Sequence, residues 1–415
     1  MLRYRDFLRN RDFLLYNAGQ ALSQFADRLV QIAILGMVYK INPGSSLELA
    51  KAIFFTVVPA FLISPIAGVY VDRFRKRNVM LVSDVVRSGL VFLMPLALIG
   101  ENMPLLYAIL FLIFTAACFF LPAKLSTIPD LVEEERLLMA NSAATTVWAA
   151  SGIFGFTAGA FIIELIGLRK GIYMTGALYL TSAFLISFIS GKRAGDGGAQ
   201  KPAPAGLPLM RPSFFRELKD GLKLILTQRS AQFIAAIFFV LMSVVGSLYV
   251  VAVIFIQDIT GSMTSSIGVF GLFLGIGALI GAYFFGKFAG KIPKAVSIPF
   301  SFVLSGLLVI AFAAGLKITR DIPLAAALSL LTGIAASPII ISGNTLVHET
   351  VDEKIRGRIF SSLGIIMNAG FLAFMFLSSY TAEKIGRVWI IIVCGMALFL
   401  CGTAMFAIKN RMKKA

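Results

Sequence analysis

The chain has 415 residues, of which 58% are hydrophobic and only 14% are charged. Soluble domains are about 45–50% apolar and about 25% charged, so this composition excludes an ordinary soluble protein. The formal net charge is +17, but the cations stand between apolar segments instead of forming one basic face, which excludes a nucleic-acid binder.

Twelve segments are long and apolar enough to be transmembrane helices, because a spanning helix needs about 20 mostly apolar residues. The segments are 13–39, 50–71, 79–99, 104–121, 139–166, 171–190, 231–257, 266–286, 295–316, 322–342, 358–381 and 388–408. An even number of spans places both termini on the same side. The sequence therefore predicts an all-α membrane protein with 12 transmembrane helices.

The cations are distributed unevenly between the two sides of this predicted topology. Of the 38 Lys and Arg residues, 28 fall on the side of the termini, 8 on the other side and 2 inside spans, when Lys51 and Arg358 at span ends are counted with the adjoining loops. Short loops on the cytoplasmic side carry the excess of Lys and Arg. We therefore expect a multi-pass protein of the cell (inner) membrane with both termini in the cytoplasm.

The middle of the chain divides the spans into two groups of six. Residues 191–212 are rich in Gly, Pro and Ala and predict a flexible linker. Residues 213–226 follow with apolar side chains on one helical face, which predicts an amphipathic helix lying on the membrane surface. The predicted parts are an N-terminal half (1–190), a linker with a surface helix (191–229) and a C-terminal half (230–415).

The same residue types occur in the same order in two segments that follow the fourth span of each half. Segments 122–136 and 338–356 both open with Pro, carry Leu-Val in the middle and end with acids and an Arg. Both segments are predicted to be cytoplasmic connections. Two similar halves in tandem are typical of transporters built from parallel repeats, with the substrate site near the bilayer midplane. The halves are therefore predicted to be pseudo-symmetric.

The first span carries polar residues at intervals of 3, 4, 3 and 4, which places them on one helical face. They are Asn17, Gln20, Gln24, Asp27 and Gln31. A polar stripe on a spanning helix faces the bundle interior or a water-filled cavity instead of lipid. We expect the stripe to line the substrate pathway; interhelical hydrogen bonding alone is the alternative.

Asp27 is the charged member of this stripe. A carboxylate at mid-span costs about 2.5–3.5 kcal/mol on insertion scales, which makes it a candidate for proton coupling or substrate contact. A structural polar contact is the alternative interpretation. Arg28 is included in the predicted pathway, although it lies about 100° around the helix from Asp27 and can pair elsewhere.

A charged stretch, GVYVDRFRKR at 68–77, follows the second span. Asp84 and Arg87 follow in the third span at i, i+3, a spacing that permits an intrahelical ion pair supporting this stretch. Within the stretch, Arg75, Lys76 and Arg77 are expected to contact anionic lipid headgroups.

The sequence contains no P-loop, HExxH or GxSxG motif, and it has one histidine and three cysteines without metal-ligand spacing. We therefore expect no enzyme activity, no cofactor and no metal. Without a nucleotide site, the energy for transport must come from an ion gradient or from the substrate's own gradient. The expected partners are a small amphiphilic substrate, protons and membrane lipids, with no nucleic acid, and the chain is expected to be a monomer.

These features together resemble a transporter of the major facilitator superfamily. The stretch 68–77 is similar to the superfamily's signature after span 2. NRDFLLYNAGQALSQFADRL (10–29), IPDLVEEERLLMANS (128–142) and FRELKDGLKLIL (215–226) resemble the drug–proton antiporter branch that includes macrolide-efflux proteins and the enterobactin exporter. Lysophospholipid transporters share the Ser…Asp pattern of span 1 and the PAK stretch at 122–124.

The resemblance implies alternating access and proton-coupled export of amphiphilic or hydrophobic molecules of the multidrug or siderophore type. The alternative is a lysophospholipid transporter. It also implies a conformational gate, in which Asp72 interacts with the N-terminal end of span 11. Residues expected to serve this gate are Gly68, Asp72, Arg73, Arg77, Asp84 and Arg87. The family's span 4 arginine is absent, and its span 5 antiporter signature is only partly kept at 151–160.

Overall fold

The computed structural model describes residues 10–71, 73–190, 223–288, 292–351 and 353–414, and in these ranges the regular structure is helical. The first half contains α1 (Arg11–Ile41), α2 (Ser46–Leu62), α3 (Ser64–Val71), α4 (Lys76–Ile99), α5 (Met103–Leu131), α6 (Leu137–Ile166) and α7 (Leu168–Ser187). The second half contains α8 (Arg229–Thr260), α9 (Ser265–Phe288), α10 (Lys294–Thr319), α11 (Ile322–Thr350), α12 (Glu353–Ile385) and α13 (Arg387–Lys414).

These helices confirm the predicted all-α fold of membrane-spanning segments. Ten helices in the described ranges are long and apolar enough to cross a membrane. The two other predicted spans are also helical. The segment 50–71 forms the broken pair α2 and α3, and the segment 171–190 corresponds to the 20-residue α7.

The break between α2 and α3 lies at Ile63. Pro59 is inside α2, and Pro65 follows two residues after the break. Proline has no backbone N–H, so Pro65 cannot donate to the carbonyl one turn earlier. Helical hydrogen bonding nevertheless extends to the break, because the Ile63 amide donates to Pro59 O at 2.8 Å. A span interrupted in this way remains membrane-compatible, since nearby groups satisfy its backbone.

Three helices begin after an Asn or Asp side chain that caps their first turn, as these residue types commonly do. Asn10 accepts from the Phe13 amide at the start of α1, Asn102 does the same for Leu105 in α5, and Asp321 for Leu324 in α11. Such caps satisfy amides that have no partner within the helix. Asn10 also donates to Leu131 O at 2.9 Å, which ties the start of α1 to the end of α5.

The chain forms two compact units, Met1–Pro43 with Lys51–Met210, and Gly44–Ala50 with Arg211–Ala415. In the first unit, α1 packs on α6 and α7, and α4 packs on α5 and α7. In the second unit, α8 packs on α12, α9 on α11 and α10 on α13. The boundaries at 190 and 230 remain predictions. Most of the predicted surface helix lies outside the described residues; residues 223–227 are helical, and Ile225 is buried.

The assignment of 122–136 to a connection was wrong for its first part. Helix α5 continues through Pro122 and Pro129 to Leu131. The residues after Pro122 pack inside the first unit, because Ala123, Ile128 and Leu131 are buried in its hydrophobic core. The segment 338–356 likewise begins inside a helix, since α11 runs to Thr350. The longer α5 brings Lys124 into the interior of the first unit.

Candidate functional site

A cluster of charged side chains lies inside the first unit, and its centre is the guanidinium of Arg87. This side chain is completely buried. Its Nη1 donates to Asp27 Oδ1 at 2.8 Å, and its Nη2 donates to Asp84 Oδ1 and, at 3.0 Å, to Ser23 Oγ. Arg87 therefore joins a carboxylate on its own helix, α4, to a carboxylate on α1.

Two aromatic rings enclose the same guanidinium. Its central carbon lies 4.5 Å from the ring centroid of Phe120 on α5 and 4.7 Å from that of Tyr179 on α7. A planar guanidinium is suited to this arrangement because it can stack on aromatic faces while its edge donates to carboxylates. Four helices, α1, α4, α5 and α7, thus hold one cation in place.

Asp84 is the fully buried carboxylate of the cluster. Besides its pairing with Arg87, Asp84 accepts from Ser23 Oγ at 3.0 Å and from Ser182 Oγ at 2.6 Å. A buried carboxylate is stable only when it is paired and hydrogen-bonded, and Asp84 meets both conditions. The i, i+3 ion pair predicted from the sequence is formed, but it is joined to Asp27.

Asp27 differs because its side chain is 37% exposed. Its Oδ1 accepts from Tyr179 Oη at 2.5 Å as well as from Arg87. The remaining surface of the carboxylate is open. Of the two acids bound by Arg87, Asp27 is therefore the one that a proton or a ligand can reach.

The other polar residues of the α1 stripe present acceptor atoms. Gln20 and Gln24 are buried, and their amide groups donate to Ala144 O and Gln20 O. Their Oε1 atoms, together with Asn17 Oδ1, have no hydrogen-bond partner among the described residues. Buried acceptors are rarely left unsatisfied, so this face of α1 is suited to accept hydrogen bonds from a ligand.

Arg28 pairs away from Asp27, as its position around the helix allows. Its Nη1 donates to Gln31 Oε1 at 3.0 Å. Its aliphatic part lies against α6, where a Cβ added at Gly155 would be 3.2 Å from Arg28 Cγ. Of the predicted pathway residues, Arg28 therefore contacts Gln31 within α1 and lies against α6.

The residues predicted from the sequence did not include three polar members of the cluster: Lys124, Tyr179 and Ser182. Lys124 is 6% exposed, and its backbone carbonyl accepts from Tyr16 Oη at 3.0 Å. Tyr179 and Ser182 could have been found, because Thr175, Tyr179 and Ser182 follow the same 4, 3 spacing as the stripe on α1. Lys124 gave no such signal, since it lies beyond 121, the predicted end of the fourth span.

The predicted gate residues of the stretch 68–77 are only partly described. Asp72 lies outside the described residues, so its role remains a prediction. Gly68 has open space around the position of a Cβ, and Arg73 is exposed. Arg77 donates to Ser187 O at 2.5 Å, which connects the start of α4 to the end of α7.

An apolar groove of about 550 Å³ lies beside the charged cluster, between α4 and α5. Its walls include Phe74, Val82, Leu112 and Phe119. Ser83 also lines the groove, and its carbonyl accepts from Arg87 Nε at 3.4 Å. An apolar surface thus adjoins the charged cluster within one unit.

Two known proteins with export or efflux in their names are similar to nearly the whole chain. BacE of Bacillus subtilis strain 168, provisionally named a bacilysin exporter, is 28% identical over 402 residues, covering 94% of this chain and 93% of that protein. Macrolide efflux protein A of Streptococcus pyogenes is 22% identical over 412 residues, covering 96% and 95% of the two chains.

Among solved structures, a bacterial homologue of the iron transporter ferroportin in an inward-facing state matches with a TM-score of 0.73. It is 16% identical, and the match covers 96% of this chain and 98% of that one. The family model described as Major Facilitator Superfamily matches residues 17–370 and 275–414. The chain therefore belongs to the Major Facilitator Superfamily, and it is a multi-pass membrane transporter, not an enzyme.

Proposed function

We propose that this transporter exports amphiphilic or hydrophobic small molecules in exchange for protons, by alternating access. The proposal places the chain in the cell (inner) membrane with both termini in the cytoplasm. The observation that carries it is the half-open carboxylate of Asp27, which is bound to Arg87 and Tyr179 inside a spanning unit. The names of the relatives, which refer to export of an antibiotic and efflux of macrolides, support the direction.

Exchange requires that the proton and the substrate compete for one group. Two cations interact with Asp27: Arg87 from α4 and Lys124 from α5. Asp84 is bound to the same guanidinium of Arg87. Arg28 follows Asp27 in α1 and donates to Gln31. Protonation of Asp27 neutralises its charge, while Arg87 keeps Asp84 as a partner. A cationic group on the substrate can therefore bind the ionised carboxylate, and a proton can displace it.

The remaining predicted residues take supporting roles in this proposal. Asn17, Gln20, Gln24 and Gln31 contribute polar contacts along the pathway. Gly68, Asp72, Arg73 and Arg77 form the gate that closes the cytoplasmic side, with Asp84 and Arg87 linking it to Asp27. We also propose that the protein acts as a monomer.

Purified protein in proteoliposomes tests the coupling. A lumen more acidic than the medium should drive accumulation of a cationic dye, since protons leave as the dye enters. Asp27→Asn should abolish the gradient-dependent accumulation, because an amide cannot exchange a proton. Glu101→Gln, at an exposed turn between α4 and α5, is the matched control and should transport normally. Dye uptake independent of the pH gradient in the wild type would contradict the proposal.

The groove between α4 and α5 favours a second candidate, transport of lysophospholipids between leaflets. Its apolar walls suit a single acyl chain, and it adjoins the charged cluster through Ser83. In the same proteoliposomes, this function would protect a fluorescent lysolipid from an external quencher without any pH gradient. That result, together with no dye accumulation, would replace export by lipid movement.

A further inference from the structure

A second buried cation, Lys124, faces Asp27 from α5. Lys124 lies one helical turn after Phe120, whose ring contacts Arg87. Residues four apart share a helix face, and helical side chains point toward the N-terminal end of their helix. The Lys124 ammonium is therefore directed back toward the level of Phe120, and it interacts electrostatically with Asp27.

Arg87 has little capacity left for a ligand. Its three nitrogens donate to Asp27, Asp84, Ser23 and Ser83 O, and its faces contact two aromatic rings. By contrast, no hydrogen bond joins the Lys124 ammonium to another of the described residues. A buried ammonium is costly unless it is paired. Lys124 is thus the cation of the cluster that can receive an anionic group.

We infer that Lys124 binds an anionic group of the substrate while Asp27 binds its ammonium group, so that the site selects zwitterionic amphiphiles. The inference rests on the proposed proton-coupled export and names its substrate class. The side chain of Lys124 acts here as a specificity-determining residue, and the apolar part of the substrate contacts the surrounding helix faces.

The direction of exchange favours a zwitterion over either single charge. Protonation of Asp27 leaves Lys124 as an uncompensated positive charge. A purely anionic substrate would then bind more tightly at the moment when exchange requires its release. A purely cationic substrate can bind the ionised Asp27, but the positive charge of Lys124 opposes it, so it binds more weakly than a zwitterion. A zwitterion satisfies both groups and loses its ammonium partner when Asp27 takes up a proton.

The test uses three matched probes in proteoliposomes with an acidic lumen: the dipeptide phenylalanyl-leucine, its methyl ester and its N-acetyl derivative. The ester lacks the carboxylate, and the acetylated form lacks the ammonium. Wild-type protein should accumulate the dipeptide at least about tenfold faster than either derivative, because each derivative leaves either Asp27 or Lys124 without a charged partner from the substrate. Lys124→Gln should slow dipeptide transport and speed ester transport until the two rates are similar, because the charge that binds the carboxylate and opposes the cationic ester is then removed. Lys124→Arg should retain the preference for the dipeptide.

Several outcomes would overturn the inference. The inference is wrong if the wild type transports dipeptide and ester equally fast, or if it prefers the ester. In both cases, accumulation of the cationic dye driven by the pH gradient would still support the proposed export. If Lys124→Gln slows dipeptide and ester equally and lowers the melting temperature, Lys124 has a structural role only. If no probe and no dye responds to the pH gradient, the proposed export itself fails.

Discussion

The two units of this transporter hold their helices together by different means. In the first unit, a buried cation joins two carboxylates and two aromatic rings across four helices. Among the second-unit residues whose side chains the structure describes, which exclude 229–230, 352–358 and 408–415, no Asp, Glu, Lys or Arg is buried; the buried polar side chains are those of Ser and Thr and of Gln257. Charge is therefore concentrated in the interior of one pseudo-symmetric half.

Close backbone contacts at glycines take the place of charge in the second unit. A Cβ added at Gly277 on α9 would lie 2.0 Å from Leu330 O on α11, and one at Gly333 would lie 2.1 Å from Leu274 O. The same closeness occurs between α8 and α12 at Gly246, 2.2 Å from Phe371 O. Small residues at such seams let helix backbones approach closely in a membrane.

Glycines of the first unit meet side chains instead. A Cβ at Gly176 would approach the ring of Phe92 at 2.7 Å, and one at Gly171 would approach Ile163 Cγ1 at 2.7 Å. Side chains can change rotamer, whereas a helix backbone can shift only with the whole helix. The first unit thus combines adaptable seams with a fixed charged cluster, and the second is a closely packed scaffold.

Among the substitutions that test this contrast between the units, removal of the central cation should have the largest effect on stability. Arg87→Met leaves Asp84 fully buried without its charge partner, so we expect a loss of about 3–5 kcal/mol in the free energy of unfolding. Chemical denaturation in detergent would measure it. Adding Asp84→Asn should recover part of the loss, because the uncompensated charge is then removed. Wild-type stability of the single variant would contradict the interpretation of the cluster as a structural centre.

The sequence predicted much of this cluster, and its failures have a physical cause. Spacing along one helix revealed the α1 stripe and the pairing of Asp84 with Arg87, because helical geometry relates residues three and four apart. The link from Arg87 to Asp27 joins residues 60 positions apart, and only the packing of α1 on α4 creates it. Pairings between helices carry no signature in a local pattern.

Lys124 was missed for a different reason, which is the predicted end of its helix. The predicted fourth span ends at 121, so Lys124 falls in the predicted connection, which begins at Pro122. In the structure α5 continues past it, because membrane helices tolerate proline where neighbouring groups re-satisfy the backbone. The twelve spans were less sensitive to such errors, because a run of about 20 apolar residues identifies a span without exact ends.

A glycine of the scaffold should give the next largest effect. Gly333→Ala places a methyl group against the backbone of α9, so we expect α9 and α11 to separate and the protein to lose about 1–3 kcal/mol of stability. Gly286→Ala in α9 is the matched control, because nothing lies within 4 Å of its Cβ position. The melting temperature of both variants in detergent measures the difference, and equal values would refute the description of the second unit as a backbone-packed scaffold.

The smallest effect is expected from the corresponding change in the first unit, Gly176→Ala on α7. The atoms nearest to the added methyl group are Cε1 and Cζ of Phe92, at the far end of a ring that is only partly buried. The ring can turn aside, so we expect a loss below about 1 kcal/mol, since overpacking costs little where a side chain can move. Ser88 donates to the Gly176 carbonyl at 2.7 Å, so α4 and α7 remain joined beside the substitution. If Gly176→Ala lowers the melting temperature as much as Gly333→Ala does, the seams of the two units are equally rigid, and the contrast between them rests on charge alone.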